Sequence, residues 1–205
     1  MVSFGSDRLP EHAAAVKILI AGGFGVGKTT LVGTVSEVPP LHTEEVMTEV
    51  GVGVDDIAGV EGKSRTTVAL DFGRITLSDD LVLYLFGAPG QERFWSLWDD
   101  LAIGTLGAIV LVDTRRLDAG FGSIDFFERR GIPFVVAINR FDAAVEYTVE
   151  EVRDALDLGP AVPILPCDVR VRSSGRDVLL ALVDHLMAQA SPANAGRAEF
   201  SPSGV

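Results

Sequence analysis

Gly22-Gly23-Phe24-Gly25-Val26-Gly27-Lys28-Thr29 directly follows the apolar run Val16-Lys17-Ile18-Leu19-Ile20-Ala21 and leads into Thr30-Leu31-Val32. A short strand entering a Gly-x-x-x-x-Gly-Lys-Thr turn that opens a helix is a phosphate-binding loop in its required context. Glycines let the backbone curl until successive N–H groups point at a polyphosphate, and a side chain at Gly27 would obstruct that approach. The positive end of the helix dipole adds to the field on the phosphate. The expected phosphate-binding set is therefore Gly22, Gly25, Val26, Gly27, Lys28, Thr29 and Thr30. Within it Lys28 reaches the outer phosphates and the Thr29 hydroxyl ligates the Mg²⁺ that bridges them.

Working outward, 205 residues with 47% hydrophobic content suit one large domain with a single core. No apolar run is long enough to cross a membrane. The first residues lack a basic region followed by an apolar one, so no secretory signal is expected. Cys167 is the one cysteine, which rules out an intrachain disulfide. Neither a prenylatable C-terminal cysteine nor a glycine at position two is present, so no direct lipid anchor is expected and the cytoplasm is the default location. Seventeen basic residues against 29 acidic ones leave a net charge of −12, which argues against a nucleic-acid partner or an anionic membrane surface.

Along the chain, residues 1–15 read as a flexible lead-in, residues 16–190 as the domain and residues 191–205 as a disordered tail. Strands are expected at 16–21, 67–73, 81–86, 106–113, 132–138 and 162–165, and helices at about 29–37, 91–102, 121–130, 148–158 and 175–190. Part of the Gly- and acid-rich stretch 41–65 is expected to be a mobile loop. Continuous Val/Ile/Leu runs between amphipathic helices give an α/β fold, a mostly parallel six-stranded sheet with helices on both faces. Ligands of such folds sit at the carboxyl ends of the strands.

Three further runs follow the loop in fixed order: Thr67-Val68-Ala69-Leu70-Asp71-Phe72, Gly90-Gln91-Glu92-Arg93-Phe94 and Asn139-Arg140-Phe141-Asp142. Together they resemble a Ras-like small GTPase over about residues 15–188, a P-loop NTPase of the G-domain type. The resemblance implies that Thr67 closes onto Mg²⁺ and the γ-phosphate. It also implies that the Gly90 N–H senses that phosphate and that Gln91 orients the attacking water. Asp142 would accept hydrogen bonds from the N1–H and amine of guanine, with Asn139 bracing the loop. Catalysis would then rest on Gln91, Lys28 and Thr67, and the cofactors would be Mg²⁺ and GTP or GDP.

Departures from the family narrow the comparison. The usual aspartate before Gly90 is replaced by Gly87 in Gly87-Ala88-Pro89-Gly90, as in bacterial polarity-switch GTPases of the MglA type and the conservon-operon G proteins of actinobacteria, which the chain resembles most. In that subgroup a strand aspartate is a plausible substitute, and Asp71 stands in the matching place. The metal set implied is Thr29, Thr67 and Asp71, with a surface or capping role for Asp71 as the alternative. Arg140 replaces the usual lysine beside the base, and its aliphatic stem still suits that place. Pro166-Cys167-Asp168-Val169 replaces the Ser-Ala-Lys loop, which brings Cys167 and Asp168 into the guanine-binding set beside Asn139, Arg140 and Asp142, a plain loop cysteine being the alternative.

Other residues have blander expectations. One of Trp95 and Trp98 must turn from the sheet, and Arg115-Arg116 reads as a solvated loop pair rather than an internal arginine finger. The expected activity is slow GTP hydrolysis by a signalling switch, and the alternative is a nucleotide-gated interaction module that hydrolyses little. A third possibility, a P-loop ATPase, is opposed by Asn139 and Asp142. The subgroup implies a roadblock-type, Longin-related regulator and a sensor-kinase-like partner, through which membrane recruitment would occur.

Overall fold

The computed structural model describes residues 13–39, 41–48, 65–90, 96–142 and 144–190, with the backbone alone at 41–48, 65–69 and 96. Its elements run β1 (Ala14–Ala21), α1 (Lys28–Val35), β2 (Leu41–Thr48), β3 (Arg65–Ser78), β4 (Leu81–Gly87), α2 (Ser96–Ala102), β5 (Thr105–Val112), α3 (Asp118–Arg130), β6 (Phe134–Asn139), α4 (Val149–Ala155), β7 (Ile164–Cys167) and α5 (Arg172–Ala190). The expected lead-in up to residue 12, the stretch 49–64, Gln91, Phe94, Trp95 and the tail 191–205 lie outside the described residues.

The strands form one sheet in the order β2-β3-β4-β1-β5-β6-β7. Five of them, β4, β1, β5, β6 and β7, are mutually parallel. The six expected strands are joined by a seventh, β2, which pairs antiparallel with β3 at the sheet edge, Leu41 opposite Phe72 and Thr48 opposite Arg65. It falls at the start of the stretch expected to be partly loop. Its Leu-His-Thr-Glu-Glu-Val-Met-Thr sequence carries little apolar alternation, so cross-strand pairing rather than local pattern makes it a strand. β3 then turns at Asp79-Asp80 and returns antiparallel as β4.

Side-chain alternation divides the core between the two faces of the sheet. Ile18 and Ile20 point to one face with Leu31, Val32 and Val35 of α1 and Val178, Leu179 and Leu182 of α5. Leu19 and Ala21 point to the other with Trp98 of α2, Ile124 and Phe127 of α3, and Val152 of α4. Because the central strands are covered on both sides, their residues are apolar without a break, as expected of buried parallel sheets. α4 starts at a capping box: the Thr148 hydroxyl accepts from the Glu151 N–H while the Glu151 carboxylate accepts from the Thr148 N–H.

One consequence of the topology governs the rest. All five parallel strands end at the same edge, so the segments after β1, β4, β5, β6 and β7 converge there. The sheet order reverses about β1, which places the glycine-rich turn at the switch point where α/β sheets hold ligands.

Candidate nucleotide-binding site

The turn 22–27 joins β1 to α1 and ends at Gly27, whose φ of 107° lies in the left-handed region that only glycine adopts cheaply. A Cβ at Gly27 would stand 2.8 Å from Asn139 Nδ2, so the base-motif loop as well as any phosphate requires glycine there. Gly27 caps α1 without a side chain. The N–H groups of the first turn therefore keep their donors for a ligand.

Lys28 donates to the carbonyls of its own loop, Gly22 O at 2.9 Å and Gly23 O at 2.7 Å. Burial lowers its ammonium to about 8, while the charge of Asp71 pulls the other way. Gly90 packs against the same amine: a Cβ there would lie 2.5 Å from Lys28 Nζ and 2.9 Å from Gly22 O. Only a residue without a side chain brings the segment after β4 this close. That segment is held from behind, where the Trp98 indole N–H donates to Pro89 O at 3.0 Å. Trp98 is 2% exposed and packs edge-on to Phe126 of α3, so it is the tryptophan that faces inward.

Asp71 is brought to the loop by β3. Thr29 Oγ1 donates to Asp71 Oδ2 at 2.5 Å, and Asp71 is 8% exposed. Its register partner is Gly87. A Cβ built on Gly87 would lie 3.1 Å from Asp71 Cβ and 3.1 Å from Oδ2. The carboxylate thus fills the space that a side chain at position 87 would enter. Among the described residues no group of three or more His, Cys, Asp or Glu could form a metal cage. A hydroxyl and a carboxylate side by side nevertheless fit Mg²⁺, which takes one or two protein oxygens and completes its octahedron with phosphate and water. Thr67 lies on β3 opposite Val46, four residues from Asp71.

At the other end of the edge, buried Asn139 connects three strands' loops. Its Nδ2 donates to Val26 O at 2.9 Å, and its Oδ1 accepts from the Val169 N–H at 3.2 Å. The Arg140 N–H donates to Cys167 O at 2.7 Å, and its exposed guanidinium pairs with Glu146 at 3.5 Å. Cys167 is buried in the core on the α1–α5 face, and that burial raises its thiol. It ends β7, with its side chain in that core.

Asp142 and Asp168 do come together, through a residue the sequence reading passed over. Arg170 donates to Asp168 Oδ1 and Oδ2 at 2.9 Å each and to Asp142 Oδ2 at 3.2 Å. The bonds from Arg170 hold the Asp168 carboxyl at about 2. Asp168-x-Arg170 just past a strand was the available signal, but its partner Asp142 is 28 residues away. A cavity of about 630 Å³ opens beside this loop, bordered by Asn139, Phe141, Asp142, Tyr147 and Pro166.

Both arginines of the pair after β5 are exposed, and each is also hydrogen-bonded to the protein. Arg115 forks onto buried Asp113, with Nε–Oδ1 at 2.9 Å and Nη2–Oδ2 at 2.7 Å, and lies 3.9 Å over the Phe141 ring. These bonds lower the Asp113 carboxyl. Arg116 turns the other way and donates to Phe24 O at 2.7 Å.

A phosphate loop at the switch point, with base-motif residues wired to it by Asn139, defines a nucleotide-binding P-loop protein with a fold of the GTPase type. Comparison with known proteins agrees. Residues 20–189 match the family described as "Conserved hypothetical ATP binding protein", and the chain belongs to that family. An uncharacterised protein of Methanocaldococcus jannaschii is 31% identical over 129 residues, 62% of this chain and 71% of that one. The FeoB G-domain from Methanococcus jannaschii superposes with a TM-score of 0.56 at 16% identity, over 84% of this chain and 98% of that one. The cytosolic domain of the T. maritima FeoB iron transporter gives 0.58 at 16% identity, over 84% of this chain and 64% of that one. At such identity the two structures speak to the fold alone.

Proposed function

We propose that the protein binds guanine nucleotides with Mg²⁺ and hydrolyses GTP slowly, as a switch in bacterial signalling. The observation that carries this reading is Asn139, which ties the phosphate loop at Val26 to the loop at Val169; Asp142, three residues further on, would reach the base from there. A carboxylate there accepts from the N1–H and 2-amine of guanine together; adenine presents an acceptor at N1 and cannot satisfy it. Arg170 is the inner stand-in for that edge, since its guanidinium offers Asp142 the same kind of paired N–H donors.

Lys28 leaves the Gly22 and Gly23 carbonyls for the outer phosphates, and the first-turn N–H groups of α1 take the inner ones. Thr29 and Asp71 would hold Mg²⁺; Thr67 enters the metal set by resemblance alone. When bound, the ion offsets charge on the phosphates. Gln91 is assigned to water positioning and Gly90 to sensing the terminal phosphate, again by resemblance. A roadblock-type regulator and a sensor-kinase-like partner follow from the resemblance to MglA-type and conservon-operon G proteins. Membrane recruitment through such a partner is likewise proposed from the resemblance; among the described residues no helix is long and apolar enough to cross a membrane.

The family's description favours a second reading, in which ATP is the ligand. Displacement of a fluorescent GTP analogue by GTP, GDP and ATP, with Mg²⁺ and with chelator, decides between them. Decisive displacement by guanine nucleotides is expected; equal displacement by ATP would sink the guanine assignment.

A further inference from the structure

Resting on the proposed hydrolysis, we infer that Arg116 is a catalytic residue that stabilises, from within the chain, the negative charge developing on the terminal phosphate. The two arginines after β5 have divided their work. Arg115 is committed, its fork on Asp113 and its face on Phe141. Arg116 is exposed, and among the described residues its guanidinium makes one hydrogen bond, to Phe24 O on the phosphate loop. A guanidinium carries five N–H donors, so most of them are uncommitted at the rim of the loop.

The surroundings say what those donors face. Arg116 lines a cavity of about 310 Å³ with Gly22, Gly23, Phe24, Gly90 and Trp98, and Asp118 is the one acidic side chain on its wall among the described residues. Gly90 is shared: it borders this cavity and also packs against Lys28 Nζ, the amine that serves the outer phosphates. The distal end of a bound triphosphate therefore lies between Lys28 and the cavity wall that Arg116 forms. Phe24, 65% exposed, stands at the same rim. A side chain arriving from a partner protein meets that ring, where Arg116 is already seated.

The step is in-line hydrolysis. Water oxygen forms a new bond to the γ-phosphorus as the bond to the β,γ-bridging oxygen breaks, and that electron pair stays on the β-phosphate. Both water protons end on the released phosphate, so GTP⁴⁻ and water give GDP³⁻ and H₂PO₄⁻. Charge builds on the bridging and equatorial oxygens, and a planar fork of donors aimed there lowers the barrier without being consumed.

The test uses the full chain and its Arg116→Ala and Arg116→Lys variants, with guanine and adenine nucleotides run in parallel. Single-turnover hydrolysis, GDP affinity and trapping of GDP with aluminium fluoride are measured for each. Hydrolysis should fall about 10³-fold in Arg116→Ala, the scale of a lost catalytic arginine, while GDP affinity changes less than threefold. Wild type should trap aluminium fluoride with no partner present, Arg116→Ala should not, and added guanidinium ion should restore part of its rate. The inference is overturned if Arg116→Ala hydrolyses or traps as wild type does. It is also overturned if GDP affinity falls as far as the rate, which would make Arg116 only a brace for Phe24. Failure of wild type to bind any guanine or adenine nucleotide would instead overturn the proposed function itself.

Discussion

Asp71 and Gly87 face each other across one register pair, and the first carries the carboxylate that the second lacks. An aspartate at 87 would start from a Cβ 3.1 Å from the Asp71 carboxylate, so two like charges would share one small space. Gly87→Asp alone should therefore weaken Mg²⁺-dependent nucleotide binding, because one carboxyl must stay protonated. Asp71→Gly should weaken it as well, by removing the partner of Thr29. The double swap should recover most of the loss, read as Mg²⁺-dependent affinity in a nucleotide titration; a double variant no better than either single one would show that position rather than charge matters. Lys28 gives a second expectation at this scale. Its ammonium is lowered from 10.5 to about 8 by burial, and an arriving phosphate favours the charged form and raises it again. Between about pH 8 and 10 the free protein holds less of this proton than the complex does. Binding must then take up a proton, and affinity falls as pH rises through about 8. Calorimetry at pH 9 in buffers of different ionisation heat should show uptake of close to one proton, absent in Lys28→Met. In the unliganded protein the same shift acts the other way on folding. The unfolded chain holds more protons between 8 and 10.5, so stability rises with pH across that window.

At the scale of elements, α2 matters as a clamp more than as a helix. It is seven residues long, yet Trp98 binds Pro89 O and stacks against Phe126 and Phe127, and Asp99 pairs with Arg130 of α3. Any movement of Gly90 would therefore pull on a buried indole. Trp98→Ala should cost about 3–5 kcal/mol in urea unfolding, in the range of large core truncations. Trp98→Phe, which keeps the ring and loses the hydrogen bond, should cost about 1 kcal/mol beyond any packing change. If Trp98→Phe melts like wild type, the bond to Pro89 is not what positions the segment. These elements also show what a sequence discloses. β1, β5 and β6 were legible because burial on both faces demands unbroken Val, Ile and Leu, and the turn after β1 because phosphate chemistry fixes glycines at set spacing. β2 was not legible, since two glutamates and a histidine in eight residues give no local reason for a strand; β3 supplies it. Asp71 was named for the metal set by resemblance, but its fit against Gly87 was not legible, because the sequence cannot show that Gly87 leaves room for it. Arg170 escaped for a related reason, since its partner Asp142 is 28 residues away; the Arg115-Arg116 pair stood out in the sequence, but the bond from Arg116 to Phe24, 92 residues away, did not.

Across the whole molecule, the halves of the site are built on separate strands and would drift independently if the sheet alone joined them. β1 leads into the glycine-rich loop, β6 into the segment 139–142 proposed to hold the base and β7 into the loop at Val169, and buried Asn139, at the end of β6, is bonded to the other two. Removing it leaves Val26 O and the Val169 N–H without that partner in a place that water reaches poorly. Each orphaned group costs about 1–3 kcal/mol, so Asn139→Ala should lower the unfolding free energy by roughly 2–5 kcal/mol. A ligand that bridges phosphate and base sites depends on their fixed separation, so the variant should also lose affinity for GDP. Inorganic pyrophosphate, which needs the phosphate loop alone, should lose less. In wild type, GDP at 100 times its Kd should add about 2.7 kcal/mol to the unfolding free energy, and that increment should shrink in Asn139→Ala when the same GDP concentration is used. Urea melts of both proteins with GDP, with pyrophosphate and without ligand test the coupling directly. If GDP and pyrophosphate lose the same fraction of their stabilisation, Asn139 supports only the phosphate loop, and the base site must be held by the Asp142–Arg170–Asp168 bridge instead.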